Sequence, residues 1–131
     1  MSEQGTAKPT ASELEILQIL WSRGPSTVRE VHQALSQSAK KPVGYTSVLK
    51  LMQIMTAKGT VRRNEEQRAH VYEACQPAEK TKRQLAADVL QRVFDGSASE
   101  LMMHALSGRP GSQTEIEQLR RMLDEYERKL R

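Results

Sequence analysis

One cysteine in 131 residues has no partner within the chain, so this is not a disulfide-stapled secreted scaffold. One tryptophan, one phenylalanine and three tyrosines bring the aromatics to 4%, so any core is aliphatic and modest. A small core of this kind often draws on oligomerisation for stability. No run of about 18 apolar residues exists, and a membrane-spanning helix needs one. The first residues are polar and lack the apolar stretch of a secretory signal. These absences point to the cytoplasm. An enzyme needs a convergent nucleophile, base and orienting group, and the only candidates are Cys75 and the three histidines. His70 and Cys75 lie five apart on or near one strand, where alternation turns them to opposite faces. His32, His104 and Cys75 lack metal-ligand spacing, and there is no glycine-rich phosphate loop. The expectation is no catalysis, no cofactor and no metal.

What the sequence does contain is an uneven distribution of charge. The net charge is only +4. From Arg23 to Arg63, however, eight basic residues face one acid, Glu30, giving that segment +7. From Ser112 to Arg131 five basic residues meet five acids and the sum is zero. A positive field confined to one segment is the electrostatic footprint of a polyanion-binding surface. The neutral tail has some other task.

The basic segment leads into residues 44–74, which read as a helix followed by a small hairpin. Val48, Leu51, Met52 and Met55 fall at i, i+3, i+4 and i+7, so one helix face is apolar. Gly59 stops the helix, with Lys58 in the last turn where the dipole favours a cation. Val61–Arg63 and Ala69–Ala74 read as two short strands around a polar turn at 64–67. The exposed face of the helix carries Tyr45, Thr46, Ser47 and Lys50, which can donate to phosphates or base edges. The hairpin offers Arg62, Arg63 and Arg68. A basic-fronted helix with a basic hairpin behind it is what a winged helix-turn-helix presents to DNA. Taken alone, the same stretch also fits a solvated amphipathic helix packed on a domain core.

The rest of the chain supports the first reading. Residues 1–9 are polar and expected to be disordered. Thr10-x-x-Glu13 is a capping box that opens a helix with Leu14, Ile16, Leu17, Leu20 and Trp21 on its apolar side, ended by Gly24-Pro25. Trp21 is expected in the core. Thr27-x-x-Glu30 is a second box, before a short helix with Val28, Val31, Ala34 and Leu35 inward. Residues 36–43 read as a loop. Helix, short helix, loop, helix and hairpin is the winged-helix order, with the third helix in the major groove.

Pro77 suits the first turn of a further helix. Leu85, Val89 and Val93 share one face of it, with Ala86, Leu90 and Phe94 beside them. Asp95-Gly96 breaks that helix and Ser97-x-x-Glu100 caps another, with Leu101, Met102, Ala105 and Leu106 expected to be buried. After the loop at 107–111, Ser112-x-x-Glu115 caps the last helix. Its Ile116, Leu119, Leu123, Tyr126 and Leu130 are spaced 3, 4, 3, 4, an a/d seam over two heptads. The three C-terminal helices carry more apolar stripe than so small a unit can bury alone, and dimerisation is the expected outcome.

These residues carry a family resemblance. Thr10-x-x-Glu13-Leu14-x-Ile16-Leu17-x-x-Leu20-Trp21 and Gly24-Pro25-x-Thr27-Val28-x-Glu30-Val31 resemble the opening of the penicillinase-repressor (BlaI/MecI) family. The likeness continues through Tyr45-Thr46-Ser47-Val48-Leu49, Lys58-Gly59, Arg68-Ala69-His70-Val71-Tyr72 and Val93-Phe94-Asp95-Gly96-Ser97, covering about residues 7–130. It implies a bacterial, dimeric winged-helix repressor that binds a dyad operator. Carried over position by position, it puts recognition-helix contacts on Tyr45, Thr46, Ser47 and Lys50 and a wing contact on Arg68. Thr27 can meet a phosphate at a helix N-terminus. The resemblance also implies release by a sensor-peptidase or another inducer-linked partner. Relatives cut at an Asn-Phe pair would have that pair at His104-Ala105 here, so the likeness does not extend to that step. The copper-responsive relatives carry C-terminal cysteine pairs, and this chain has none.

The expected fold is mainly α with a small β-hairpin wing. Residues 10–75 form a winged helix-turn-helix DNA-binding domain, and 76–131 a three-helix dimerisation unit. A winged-helix protein-interaction module without DNA binding is the alternative, and the +7 segment weighs against it.

Overall fold

A computed structural model of the protein describes residues 8–38, 42–66 and 68–131. Among them are six helices and a three-stranded antiparallel sheet. The elements are α1 (Ala11–Arg23), β1 (Ser26–Thr27), α2 (Val28–Ser38), α3 (Tyr45–Lys58), β2 (Val61–Asn64), β3 (Val71–Ala74), α4 (Ala78–Arg92), α5 (Ala98–Leu106) and α6 (Gln113–Lys129). The chain divides into two compact units, and the division falls inside α4, between Ala86 and Ala87.

In the first unit the helix starts are written in the sequence. Thr10 Oγ1 accepts the Glu13 N–H and the Glu13 carboxylate accepts the Thr10 N–H, a complete capping box. Thr27 and Glu30 repeat the arrangement ahead of α2. At the other end of α3, Gly59 adopts φ +85, a left-handed conformation that costs glycine nothing, and its N–H caps the helix on Met55 and Thr56. The expected stripes then meet. Ile16, Leu17 and Leu20 of α1, Val28, Val31 and Leu35 of α2, and Val48, Met52 and Met55 of α3 close over Val61 and Tyr72 of the sheet. Trp21 is half-buried against this core, and its indole N–H donates to the Gln76 carbonyl at 3.0 Å, tying the end of α1 to the segment just past β3.

Glu13 has a second task that its cap does not reveal. It is 3% exposed, yet its two oxygens accept from Lys58 Nζ at 2.9 and 3.0 Å. One carboxylate therefore starts α1 and anchors the last turn of α3, 45 residues later. Glu13 is buried while the Lys58 side chain keeps 32% of its surface exposed, so losing Lys58 would leave a buried carboxylate without its cation. The contact thus holds α3 firmly in place against α1.

The sheet differs from expectation in three ways. The second strand of the hairpin starts at Val71, not Ala69, and the first runs to Asn64. The turn is built on Asn64, whose Oδ1 accepts the Glu66 N–H. Gln67, placed in that turn by the sequence, lies outside the described residues. A third strand, β1, pairs with β3 through Ser26↔Tyr72 and Thr27↔Val71, giving the order β1-β3-β2. Two residues show no alternation, so its sequence is silent. The loop expected from residue 36 also begins later, because α2 continues to Ser38.

The second unit keeps its expected helices but not the expected burial. No described residue from Ala87 onward is buried. Leu101 is half-covered, and Met102, Ala105 and Leu106 are exposed, contrary to expectation. Three short helices of so small a unit enclose too little volume to cover both sides of their apolar stripes. Val93 and α6 residues Ile116, Leu123, Tyr126 and Leu130 are likewise exposed, and Leu119 is half-buried. The turn after α4 is specific: Asp95 at φ +49 and Gly96 at φ +84 are both left-handed, and the Gly96 N–H closes back on Leu90 O at 2.9 Å. Ser97 then caps Glu100, but its own N–H goes to Phe94 O, so the capping box expected there is only half formed. Ser112 caps α6 on the Glu115 N–H, while the Glu115 carboxylate turns away to Arg109. No described helix is long and apolar enough to cross a membrane.

Candidate nucleic-acid interface

The site is built on α3. Its inward face is fixed by Val48, Met52 and Met55, all fully buried. The 3.6-residue period then leaves Tyr45, Thr46, Ser47 and Lys50 outside, and all four are exposed, Tyr45 at 46%. Thr46 and Ser47 lie one turn before Lys50, so hydroxyls and ammonium share one surface. The same surface continues to Gln53 and Ile54, which the sequence reading passed over. Their signal was the spacing: Gln53 stands at i+3 from Lys50 and i+7 from Thr46. Its amide can donate and accept together, as an adenine edge requires.

The start of α3 is itself a donor surface. Gly44 stands at the N-cap and supplies no side-chain bond. The first N–H groups of a helix have no intrahelical partner and lie at the positive end of its dipole. They are left to solvent or to an anion. His32 of α2, considered above as a catalytic or metal-binding candidate, organises this end. Its Nε2 is 2.7 Å from Val43 O, and its ring meets that of Tyr45 edge-on, with centroids 5.7 Å apart. That short contact requires the ring to donate from Nε2. No spacing rule links residues 32 and 45, so only the packed α2–α3 pair reveals it.

Thr27 lies at the start of α2, as expected, but its capacity is partly spent. Its N–H goes to the Glu30 carboxylate and its oxygen accepts from the Glu30 N–H. The hydroxyl proton remains for a phosphate.

The hairpin departs most from the sequence reading. Strand pairing sets Arg62 opposite Glu73 and Arg63 opposite Tyr72, so adjacent arginines lie on opposite faces. Arg62 Nε donates to Glu73 at 2.8 Å, and Arg63 pairs with Glu65. The hydrogen bond that Arg62 donates to the Glu73 carboxylate, then the carboxylate's charge, raises the Arg62 pKa above its already high ordinary value. For Arg63 the Tyr72 phenol does so first and Glu65 second. Arg68 is exposed and has no ion pair among the described residues. The hairpin as a whole carries three arginines and three glutamates, so it is not the basic element its arginines suggested.

The +7 count is reduced by the same geometry. Arg23 lies 3.8 Å from Glu30, Lys58 is held by Glu13, and Arg62 and Arg63 are paired within the hairpin. Arg29 and Lys50 are exposed without an ion pair among the described residues, and Lys40 and Lys41 lie outside them. A window from 23 to 63 cannot see Glu13, Glu65 or Glu73, which cancel three of its cations. Among the described residues of this window, the cations left without an ion pair are Arg29 of α2 and Lys50 of α3. Among the described residues, no group of three or more His, Cys, Asp or Glu is placed to hold a metal.

Comparison with known proteins decides the lineage. The model of the penicillinase repressor family matches residues 9–125. The chain belongs to the penicillinase repressor family. That makes it a member of a family of transcriptional repressors. It is 35% identical over 117 residues to the transcriptional regulator BlaI of Mycobacterium tuberculosis, in both strain CDC 1551 / Oshkosh and strain ATCC 25618 / H37Rv. The match covers 88% of this chain and 82% of the relative, so it extends through both units of this penicillinase-repressor family member.

Proposed function

We propose that this member of the penicillinase repressor family is a cytoplasmic, non-enzymatic repressor that binds a dyad DNA operator as a homodimer. Residues 10–75 read the DNA and residues 76–131 hold two copies together. The observation that carries the reading is α3: an exposed, uncapped polar first turn set on a face of buried Val48, Met52 and Met55. Tyr45, Thr46, Ser47 and Lys50 face base edges and phosphates in the major groove. Arg68 meets the backbone from the wing, and Thr27 meets it from the start of α2. Leu85, Val89, Val93, Phe94, Leu101 and Met102 form one part of the dimer surface. Ile116, Leu119, Leu123, Tyr126 and Leu130 form the other. A sensor-peptidase or other inducer-linked partner ends repression.

A second reading, a winged-helix module that binds protein and not DNA, draws support from the charge-balanced hairpin. The two readings part at Lys50. Lys50→Ala and Arg68→Ala are both expected to weaken DNA binding, but only Lys50→Ala is expected to relax sequence preference. A side chain reaching a base edge discriminates by about 1–3 kcal/mol, whereas a phosphate contact carries no sequence information. Fluorescence anisotropy on specific and random duplexes checks this. Equal losses on both for Lys50→Ala would make Lys50 a phosphate contact. Unchanged binding for both variants would favour the protein-interaction reading.

A further inference from the structure

The wing holds a carboxylate against its own arginine. Arg62 of β2 and Glu73 of β3 are directly opposite in register, on the face of the hairpin turned away from buried Val61 and Tyr72. Both side chains are well exposed, and Arg62 Nε lies 2.8 Å from Glu73 Oε2. The tip adds more negative charge. Glu65 is paired with Arg63, and the Glu66 N–H bonds to Asn64 Oδ1, so the turn projects Glu66 as well. DNA phosphates approaching this wing meet an arginine already satisfied by one carboxylate, on a hairpin whose turn carries two more glutamates.

We propose that Glu73 is a specificity-determining residue: Arg62 exchanges the Glu73 carboxylate for a DNA phosphate only once α3 is seated on its sequence. The inference rests on the DNA-binding reading above. Its logic is electrostatic. Binding to random DNA comes almost entirely from cations displacing condensed counterions. An arginine engaged by its own carboxylate contributes nothing to that term. On the operator, base contacts by α3 hold the wing against the backbone long enough for the exchange to be favourable. Glu73 thus suppresses random binding more than operator binding. Arg63 is a poorer candidate for the same exchange, because it lies opposite Tyr72 in register and its side chain is more covered.

Glu73→Gln tests the proposal. It keeps the shape and removes the charge, and an exposed cross-strand pair contributes little to stability, so the variant folds. The probes are a duplex recovered from random sequence by selection with the wild-type protein, and a shuffled duplex of the same composition. Glu73→Gln is expected to tighten binding to the shuffled duplex about 3- to 10-fold and to change binding to the selected duplex less. On the shuffled duplex the slope of log affinity against log salt should steepen by about 0.9 for each wing that gains a phosphate. In an Arg62→Gln background the Glu73 substitution should have no such effect. Weaker binding of Glu73→Gln to both duplexes would overturn the proposal, since the carboxylate would then be orienting Arg62 for contact. An unchanged slope would overturn it too, with the repressor reading intact. A wild-type protein that retains no DNA of any sequence would remove both.

Discussion

Leu123→Asp is expected to leave the protein monomeric and unable to bind its operator at concentrations where the wild type saturates it. In the single chain Leu123 and Tyr126 are each 65% exposed and Leu130 70%, on a helix whose neighbours in its own unit cover none of them fully. Their 3, 4 spacing is that of a seam, and a seam needs an opposing surface. An aspartate there places an ionised carboxylate in an apolar contact, at a cost of several kcal/mol unless it escapes to water. Two-fold symmetry places the change on both sides of the interface, so the cost is incurred twice. Every 1.4 kcal/mol is tenfold in association, and Tyr126→Asp should act alike. The buried core of Ile16, Val48, Met52 and Tyr72 belongs to the other unit, so its thermal unfolding should persist. Operator affinity should collapse because one half-site offers half the contacts. Sedimentation velocity reads the outcome, and a Leu123→Asp protein that stays fully dimeric would refute this seam.

Operator binding should also weaken about 10³- to 10⁵-fold between 50 and 200 mM salt, the range for 6–10 phosphate contacts. The available cations are fewer than the sequence suggests. Arg29, Lys50 and Arg68 are exposed and unpaired among the described residues, and Lys40 and Lys41 precede α3 in the chain. Those five in each of two protomers would just reach the upper end of the range. A slope near that for six contacts would mean that the loop lysines stay off the DNA. A slope above that for ten would mean that Arg62 gives up its carboxylate on the operator, as proposed above.

Much of this architecture was legible because it is local. Thr10 and Glu13, Thr27 and Glu30, and Gly59 mark their helix ends within four residues, where side-chain chemistry acts directly on the backbone. The inward stripes of α1, α2 and α3 follow from the 3.6-residue period, and so does the outward set Tyr45, Thr46, Ser47 and Lys50. What was not legible depends on pairing at a distance. Lys58 reads as a free cation at a helix end until α1 brings Glu13 against it. Arg62 reads as a free cation until the β2–β3 register sets Glu73 opposite. His32 reads as an isolated histidine until α2 packs on α3 and brings it to Tyr45. The burial expected for Met102 and Leu106 failed for a related reason. A helical pattern says that a face is apolar, and it does not say whether the cover comes from the same chain or another.

The most direct test of a dyad-reading repressor is selection of duplexes from a random pool by the wild-type protein at moderate salt, followed by sequencing. The account predicts an enriched inverted repeat. Its half-sites should be separated by about one helical turn, or a multiple of one, as two α3 helices related by a two-fold axis require. Recovery of no preferred sequence, or of a single site without symmetry, would contradict it.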